Sequence, residues 1–179
     1  MLYARILINN SEEEIEKIID NLKLEKKSNF SFYDLVYINK NGKSITDDTL
    51  KIRVYNLNEW DSKDVLVIRK KAILTNGAKE DKVLLKEEFD TLEEAEKYVL
   101  EKFSNEFKFA FKLSKTGKEY ASSTCRVWIE DIENYGKSIE IGSDKQDNID
   151  KLISNFSVVE RLQKSIPEVM YEKYLQEFK

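Results

Sequence analysis

Charged residues recur at every second position in three segments that have the composition of β-strands. Side chains two residues apart on a strand lie on the same face, so each segment has one charged and one apolar face. If the charged faces line a closed barrel, basic groups would surround a polyanion and carboxylates would hold a divalent cation. If they face water, the segments form an antiparallel sheet with one wet side. The residues are Lys51 and Arg53, then Arg69 and Lys71, then Lys86, Glu88 and Asp90.

The composition excludes several kinds of chemistry. The chain contains no histidine, so Ser-His-Asp and Cys-His catalysis are impossible and zinc lacks its commonest nitrogen ligand. A net charge of -4, from 30 basic and 34 acidic residues, gives no bulk field that would attract duplex nucleic acid or a membrane. The lone cysteine, Cys125, is in an apolar strand-like segment and is expected to be a buried structural thiol.

The 179 residues are expected to form one cytoplasmic domain, residues 1–179. This length can bury a core without disulfides or structural metal. No linker-like tract interrupts a chain that has just 5 Gly and 1 Pro. The first residues do not have the pattern of a secretory signal, and no stretch approaches the roughly 18 apolar residues that a membrane span needs.

Hydrophobic periodicity predicts an α+β fold in which helices follow the first and fifth strands. Ser11 with Glu14, and Thr91 with Glu94, have the spacing of capping boxes at helix N-termini. Asn-Gly pairs at 41–42 and 76–77 predict hairpin loops. The eight predicted strands are residues 2–8, 30–38, 49–56, 65–74, 83–90, 107–113, 124–132 and 138–142.

Two further segments are predicted from their turn residues and their periodicity. The glycine in SKTGKEY, residues 114–120, predicts a turn between two strands. The tail from Asp144 to Lys179 has helical spacing of its apolar residues, and Pro167 is expected to begin a helix within it.

Short motifs occur in the order that the CYTH, or triphosphate tunnel, superfamily has them. LKIR at residues 50–53 is similar to the family's LRxR strand, and KEEFD at residues 86–90 is similar to its RxExE strand. IEDIENYGKSIEIG at residues 129–142 resembles its lDxvxxLGxfxEiE hairpin. The superfamily includes class IV adenylate cyclases, thiamine triphosphatases and inorganic triphosphatases. The resemblance therefore implies an eight-stranded antiparallel β-barrel of the triphosphate tunnel type, flanked by helices.

The resemblance also implies a role for each charged residue that matches a family motif. Arg69 and Lys71 compete for one inward basic position, and the sequence leaves open which of them faces inward. The implied triphosphate-binding residues are Lys51, Arg53, Arg69, Lys71, Lys86, Lys112 and Lys115. The implied ligands for Mg²⁺ or Mn²⁺ are Glu88, Asp90 and Glu140.

The chain departs from the family at two of its metal-binding motifs. The first strand lacks the N-terminal ExExK and has Tyr3, Arg5 and Leu7 on one parity and apolar residues on the other. Gly142 stands where the second carboxylate of the last strand would be. A hard cation with few carboxylate ligands binds weakly. We therefore expect a divergent member whose metal site is degraded.

The sequence therefore leaves two functions to be distinguished. The first is binding, with or without slow hydrolysis, of a nucleotide or organic triphosphate or inorganic polyphosphate. Such an enzyme would be a divalent-metal-dependent triphosphatase or resemble a class IV adenylate cyclase. The second is a catalytically inactive CYTH-like domain for ligand sensing or protein interaction. Neither the ligand nor the oligomeric state follows from the sequence.

Overall fold

A computed structural model describes residues 2–41, 48–58, 63–75, 78–162, 164 and 166–177. The hairpin loops predicted at the two Asn-Gly pairs stay predictions, because Gly42, Asn76 and Gly77 lie outside the described residues. The elements in chain order are β1 (Leu2–Ile8), α1 (Glu12–Asn21), β2 (Glu25–Asn39), β3 (Thr49–Asn58), β4 (Val65–Thr75), β5 (Ala78–Phe89), α2 (Leu92–Phe103), β6 (Phe107–Ala121), β7 (Cys125–Ile132), β8 (Gly136–Ser143), α3 (Gln146–Ile153), β9 (Val158–Leu162) and α4 (Ile166–Glu177).

The strands form one sheet in the hydrogen-bonded order β5-β4-β3-β2-β6-β7-β8-β1-β9. The pairings of β1 with β8 and β9, of β4 with β3 and β5, and of β7 with β6 and β8 are antiparallel. The predicted α+β class with a large antiparallel sheet is therefore confirmed. The strand order ends at β5 and β9 within the described ranges, and closure into a barrel stays a prediction.

The chain divides into two compact units, each with its own core. The first comprises residues 1–30 and 115–163, and the second comprises residues 31–114 and 164–179. β2 and β6 each contribute residues to both units, and the assignment of one domain over 1–179 stays a prediction. Within the described ranges, no helix has both the length and the apolar character needed to cross a bilayer.

In the first unit, the apolar residues of β1, β7 and β8 pack against α1 and α3. Ile6, Val127 and Ile139 are fully buried in this core, together with Ile15 from α1 and Ile149 from α3. Because side chains alternate along a strand, this packing leaves the opposite parity of each strand for other residues. That opposite face of β1, β7 and β8 carries Arg5, Trp128, Glu130, Ser138 and Glu140.

In the second unit, the apolar residues of β3 and β4 pack against α2. Leu50 and Ile52 from β3 and Val67 from β4 share a core with Ala95 and Val99 of α2. Val54 is partly buried against the same cluster. The opposite face of β3 therefore carries Lys51 and Arg53, as the charge pattern predicts.

Local sequence signals account for several element boundaries. The Ser11 hydroxyl accepts a hydrogen bond from the Glu14 amide and the Glu14 carboxylate accepts one from the Ser11 amide, so the predicted capping box of α1 is confirmed. The Thr91 side chain caps α2 by accepting from the Glu94 amide, which is one of the two hydrogen bonds of the predicted capping box. Pro167 lies in the first turn of α4, and Cys125 is buried, as expected.

Two predicted segments differ from the structure. The tail is not helical throughout, because Val158–Leu162 forms β9 and pairs with β1, which adds a ninth strand to the predicted eight. SKTGKEY is not a turn, because β6 continues as a strand through Gly117 to Ala121. The chain instead turns between Ala121 and Cys125, where Ser122 N donates to the Cys125 carbonyl.

Gly117 is required by close packing rather than by turn geometry. A Cβ at this position would lie 2.3 Å from the Ile129 carbonyl oxygen and 2.6 Å from the Phe30 ring. The carbonyl belongs to β7, which pairs with β6 at this point: Gly117 lies opposite Glu130, and Lys118 lies opposite Ile129. The carbonyl therefore cannot move without disturbing the hydrogen bonds between the two strands.

Gly117→Ala is therefore expected to lower the free energy of unfolding by about 1–3 kcal/mol, the usual cost of overpacking. Chemical denaturation monitored by circular dichroism measures this change. Thr116→Ala, at the exposed neighbouring position, is the control and should change stability by no more than about 0.5 kcal/mol. Equal effects of the two substitutions would contradict the packing explanation.

Candidate functional site

A buried carboxylate, Asp34, lies on β2 between apolar residues of the same parity. Phe32, Val36 and Ile38 share this parity and are buried, whereas Leu35 and Tyr37 pack on the α2 side. The Asp34 side chain is 4% exposed. A carboxylate at this depth needs cationic or hydrogen-bonding partners to remain charged.

Lys51 and Arg53 of β3 supply these partners, and we call the three residues the Asp34 cluster. Lys51 Nζ donates to Asp34 Oδ2 at 2.8 Å. Arg53 donates through Nε to Oδ1 at 2.7 Å and through Nη2 to Oδ2 at 2.9 Å. The arginine contact is the bidentate geometry in which a planar guanidinium recognises carboxylate or phosphate.

Aromatic rings fix the plane of the Arg53 guanidinium. Its Cζ lies 3.6 Å from the centroid of the Phe32 ring and 5.8 Å from that of Tyr55. The two rings contact each other edge to face at 5.5 Å, and the Arg53 side chain also hydrogen-bonds Tyr55. Cation–π contact adds to the ion pair and limits the orientations that Arg53 can adopt.

Burial and charge shift the pKa values in the Asp34 cluster. Burial alone would raise the pKa of Asp34, but the charges of Arg53 and Lys51 hold it well below its usual range. Burial, followed by repulsion from Arg53, lowers the pKa of Lys51 to about 7 despite the attraction of Asp34. Lys51 is therefore a cation that can lose its proton near neutral pH.

Two further lysines share the sheet face of the Asp34 cluster. Lys70 is the register partner of Thr49, two residues from Lys51 on β3, and its charge contributes to lowering the pKa of Lys51. Lys86 reaches the same face through Ile68, which pairs with both Lys51 and Lys86. With Lys51 protonated, this face has more positive than negative charge around Asp34.

The structure places Arg69 and Lys71 away from this face. Arg69 pairs with Leu50, whose side chain packs on α2, and it donates to Asp48 from Nε at 2.9 Å and from Nη2 at 2.6 Å. Lys71 has the same parity in the sequence as Arg69 and is exposed. The basic residue of β4 that lies on the Lys51 face is thus Lys70, between the two predicted residues.

The other predicted residues of the second unit are exposed. Glu88 shares the Arg53 face through Leu66, whereas Asp90 follows β5 and accepts from Lys63 at 2.7 Å. Lys112 Nζ lies 4.1 Å from the centroid of the Tyr33 ring. Among the described residues, no contact links Lys112 to the Asp34 cluster.

A second buried charged group lies in the first unit, and we call it the Glu130 cluster. Arg5 of β1 donates from Nη1 to Glu130 Oε2 of β7 and from Nη2 to Glu140 Oε2 of β8, the latter at 2.5 Å. Lys115 of β6 donates to both Glu130 oxygens at 3.2 Å. Ser138 accepts from Arg5 at 2.9 Å.

The Glu130 cluster balances two cations against two carboxylates. Burial would raise the pKa of Glu130, but Lys115 and Arg5 lower it to about 2. Arg5 has a raised pKa because Glu140 and Glu130 outweigh the effect of its burial. Lys115 is 9% exposed and Glu130 5% exposed on their side chains. The cluster is therefore a closed ion-pair network, without the excess positive charge found around Asp34.

The described residues do not fit the predicted Mg²⁺ or Mn²⁺ site. A hard cation needs several carboxylate or carbonyl oxygens converging at one point. No three acidic or cysteine side chains gather in this way within the ranges that the structure describes. Glu140, one of the three predicted ligands, instead accepts from Arg5.

Two clefts, of about 430 and 390 Å³, lie near the turn between β6 and β7 in the first unit. Their walls include Lys23, Glu25 and Lys27 in one cleft and Arg126, Asp144 and Lys145 in the other. Both therefore present mixed charges. Neither cleft is lined by a residue of the Asp34 or Glu130 cluster.

Asp34, Lys70, Arg5 and Glu130 were not among the predicted site residues. A usable signal existed for Asp34, because it interrupts the apolar alternation of Phe30, Phe32, Val36 and Ile38. A charged residue at a buried parity requires a partner elsewhere in the fold. Lys70 could be identified only from the register between β3 and β4.

Solved structures share this fold at low sequence identity. The PH1819 protein of Pyrococcus horikoshii has a TM-score of 0.74 and 20% identity, over 100% of both chains. An adenylate cyclase candidate from Vibrio parahaemolyticus has a TM-score of 0.65 and 12% identity, covering 98% of this chain and 97% of its own. HpAC1 from Hippeastrum, an adenylyl cyclase candidate described as having a dominant triphosphatase activity, has a TM-score of 0.61 and 14% identity, covering 96% and 94%.

These similarities establish a fold shared with adenylate cyclase candidates. At 12–20% identity they show a shared fold and no more. No protein-family model matches the sequence, and no curated protein matches it. The chemistry of the chain must therefore be inferred from its own residues.

Proposed function

We propose that the chain binds a triphosphate-bearing small molecule or inorganic polyphosphate at the sheet face of the Asp34 cluster, and that it hydrolyses this ligand slowly or not at all. The observation that carries the proposal is the partly buried pair of Lys51 and Arg53, with Lys70 beside it, around one buried carboxylate. In this proposal the face lines a tunnel, as the family resemblance implies.

The chemistry of the face suits a phosphate group. Arg53 is held in a fixed plane and presents a bidentate donor edge, and bidentate guanidinium contacts are a preferred way of binding phosphate. Lys51 and Lys70 add point charges, and partial burial strengthens each interaction relative to bulk water. Since two proteins of this fold are described as cyclase candidates, a triphosphate is the first ligand class to test.

The Glu130 cluster favours a binding protein over an efficient enzyme. Arg5 engages Glu130 and Glu140, so a metal ion would have to displace an arginine to use these carboxylates. A ligand sensor or a protein-interaction domain with this fold needs no such metal. We therefore favour a domain that binds a triphosphate, as the first predicted function has it, and that is catalytically inactive, as the second has it.

Binding should be stronger at pH 6 than at pH 8, because Lys51 has a pKa of about 7 in the free protein. A polyanion favours the protonated amine, so above pH 7 binding must also take up a proton, which costs about tenfold per pH unit. Isothermal titration with tripolyphosphate at both pH values, with and without Mg²⁺, measures this. At pH 6 we expect wild type to bind at least about tenfold more tightly than Lys51→Met.

The substitution separates protonation of the protein from protonation of the ligand. Tripolyphosphate itself titrates, but this contribution is the same for wild type and Lys51→Met, so the ratio of their affinities isolates Lys51. That ratio should fall between pH 6 and pH 8. Lys97→Met, on the exposed surface of α2, changes the net charge equally and should bind as wild type does. Absence of binding to wild type at low salt would rule out the proposed function.

A further inference from the structure

A feature of the Asp34 cluster that ligand binding alone does not explain is the carboxylate at its centre. Asp34 Oδ2 accepts from both Lys51 and Arg53, and Oδ1 accepts from Arg53 Nε. The donors that would contact a phosphate group are therefore already engaged by an anionic group of the protein. An incoming phosphate must share these donors with Asp34 or replace it.

The geometry of Arg53 makes replacement the simpler outcome. Its Nε and Nη2 edge faces Asp34, its ring-stacked face lies on Phe32, and it also hydrogen-bonds Tyr55. The guanidinium cannot turn its occupied edge toward another group without losing these contacts. A phosphate that binds the Nε and Nη2 edge of Arg53 through two oxygens therefore competes for the site that the Asp34 carboxylate occupies.

We propose that Asp34 is an internal competitor that limits the affinity of the site for phosphate groups, an inference that rests on the proposed function. The carboxylate stands in for a ligand anion in the free protein and keeps two buried cations compensated. It also sets a threshold for binding. A ligand with one or two charges gains too little to displace it, whereas a triphosphate has enough charge to do so.

The same type of contact occurs on the other face of the sheet and supplies a matched control. Asp48 accepts from Arg69 Nε at 2.9 Å and from Arg69 Nη2 at 2.6 Å, the same bidentate geometry as between Asp34 and Arg53. Arg69 Nη2 also donates to Glu106 at 3.1 Å. Asp48→Asn therefore removes the same charge from a bidentate ion pair, while Glu106 remains as a partner of Arg69. It does so on the face that packs against α2.

The test is titration calorimetry of wild type, Asp34→Asn and Asp48→Asn with tripolyphosphate and with inorganic phosphate. The titrations are made at pH 5, well below the pKa of about 7 that Lys51 has in wild type, because Asp34 helps to keep Lys51 protonated. Under these conditions Asp34→Asn should bind tripolyphosphate at least about tenfold more tightly than wild type, because attraction to the cations is no longer opposed. It should also acquire measurable affinity for inorganic phosphate. Asp48→Asn should bind both as wild type does.

The outcomes separate the two proposals. If wild type binds tripolyphosphate and Asp34→Asn binds equally or more weakly, the competitor role is overturned while the proposed function stands. If both variants gain affinity equally, the effect is one of net charge and the competitor role is again overturned. If neither wild type nor Asp34→Asn binds, both proposals fail.

Asp34→Asn leaves buried cations without a carboxylate, so the free variant is expected to be destabilised. Folding of the variant upon addition of tripolyphosphate would support the proposal. If the variant does not fold even then, the carboxyl ¹³C resonance of Asp34 in wild type is followed during titration. A shift on binding supports displacement of the carboxylate, and an unchanged resonance at saturation overturns it.

Discussion

Release of phosphate, pyrophosphate or cyclic nucleotide from triphosphates is expected to remain close to the rate without protein, even with Mg²⁺ or Mn²⁺. Carboxylates that could hold a metal ion on β7 and β8 are engaged by Arg5 and Lys115. A bound metal lowers the barrier of such reactions by several kcal/mol. At about 1.4 kcal/mol per tenfold, losing that contribution reduces the rate by orders of magnitude.

The assay uses a panel of triphosphates with each metal ion and separates the three products. Arg5→Ala serves as a paired variant, because it frees Glu130 and Glu140 from their shared cation. Fast turnover by wild type that Glu140→Gln abolishes would show that the metal site is functional. It would establish the chain as an enzyme, against the present proposal.

Glu130→Gln is expected to cause a large loss of stability. The substitution leaves Arg5 and Lys115 buried without their shared carboxylate, and breaking a buried ion pair in this way costs about 3–5 kcal/mol. We expect a value near the lower limit, because the glutamine oxygen still accepts a hydrogen bond. Glu133→Gln, exposed in the turn between β7 and β8, should change stability by no more than about 0.5 kcal/mol.

The pH dependence gives a second readout for the same variant. Despite its burial, Glu130 has its pKa lowered from 4.5 to about 2 by Lys115 and Arg5. A lowered acid pKa adds stability above the unfolded-state pKa that is lost as the pH falls through the folded-state pKa. The difference in unfolding free energy between wild type and Glu130→Gln should therefore shrink from about pH 4.5 to pH 2. A constant difference would contradict the ion-pair explanation.

The charge pattern of β3 predicted its two faces correctly. Alternation in LKIRV places Leu50 and Ile52 against α2 and Lys51 and Arg53 on the other face, which follows from the strand period alone. Whether Arg69 or Lys71 faces inward could not be decided from the sequence, and their role in binding stays a prediction. Which residues of β4 share a face with Lys51 depends on the register between β3 and β4. In the structure Thr49 pairs with Lys70.

Errors elsewhere arose where tertiary contacts override local signals. Gly117 has the composition of a turn, yet its missing side chain serves close packing against Phe30 and Ile129. VVERL was included in a helical tail, yet Val158 and residues 160–162 pair with β1. The partners of Asp34 and Glu130 come from distant segments, so the sequence shows a charge in an apolar strand but not the residue that compensates it.

NMR of the arginine side chains tests whether a polyanion binds at the edge of Arg53 that faces Asp34. Tripolyphosphate is added to ¹⁵N-labelled wild type while the Nε–Hε resonances of Arg53 and Arg69 are followed. Both arginines contact an aspartate through two bonds, so Arg69 is an internal control. We predict that the Arg53 resonance changes its chemical shift until the site is saturated with tripolyphosphate, while the chemical shift of the Arg69 resonance does not change. An unchanged Arg53 resonance, or equal shifts of the two, would contradict the proposal.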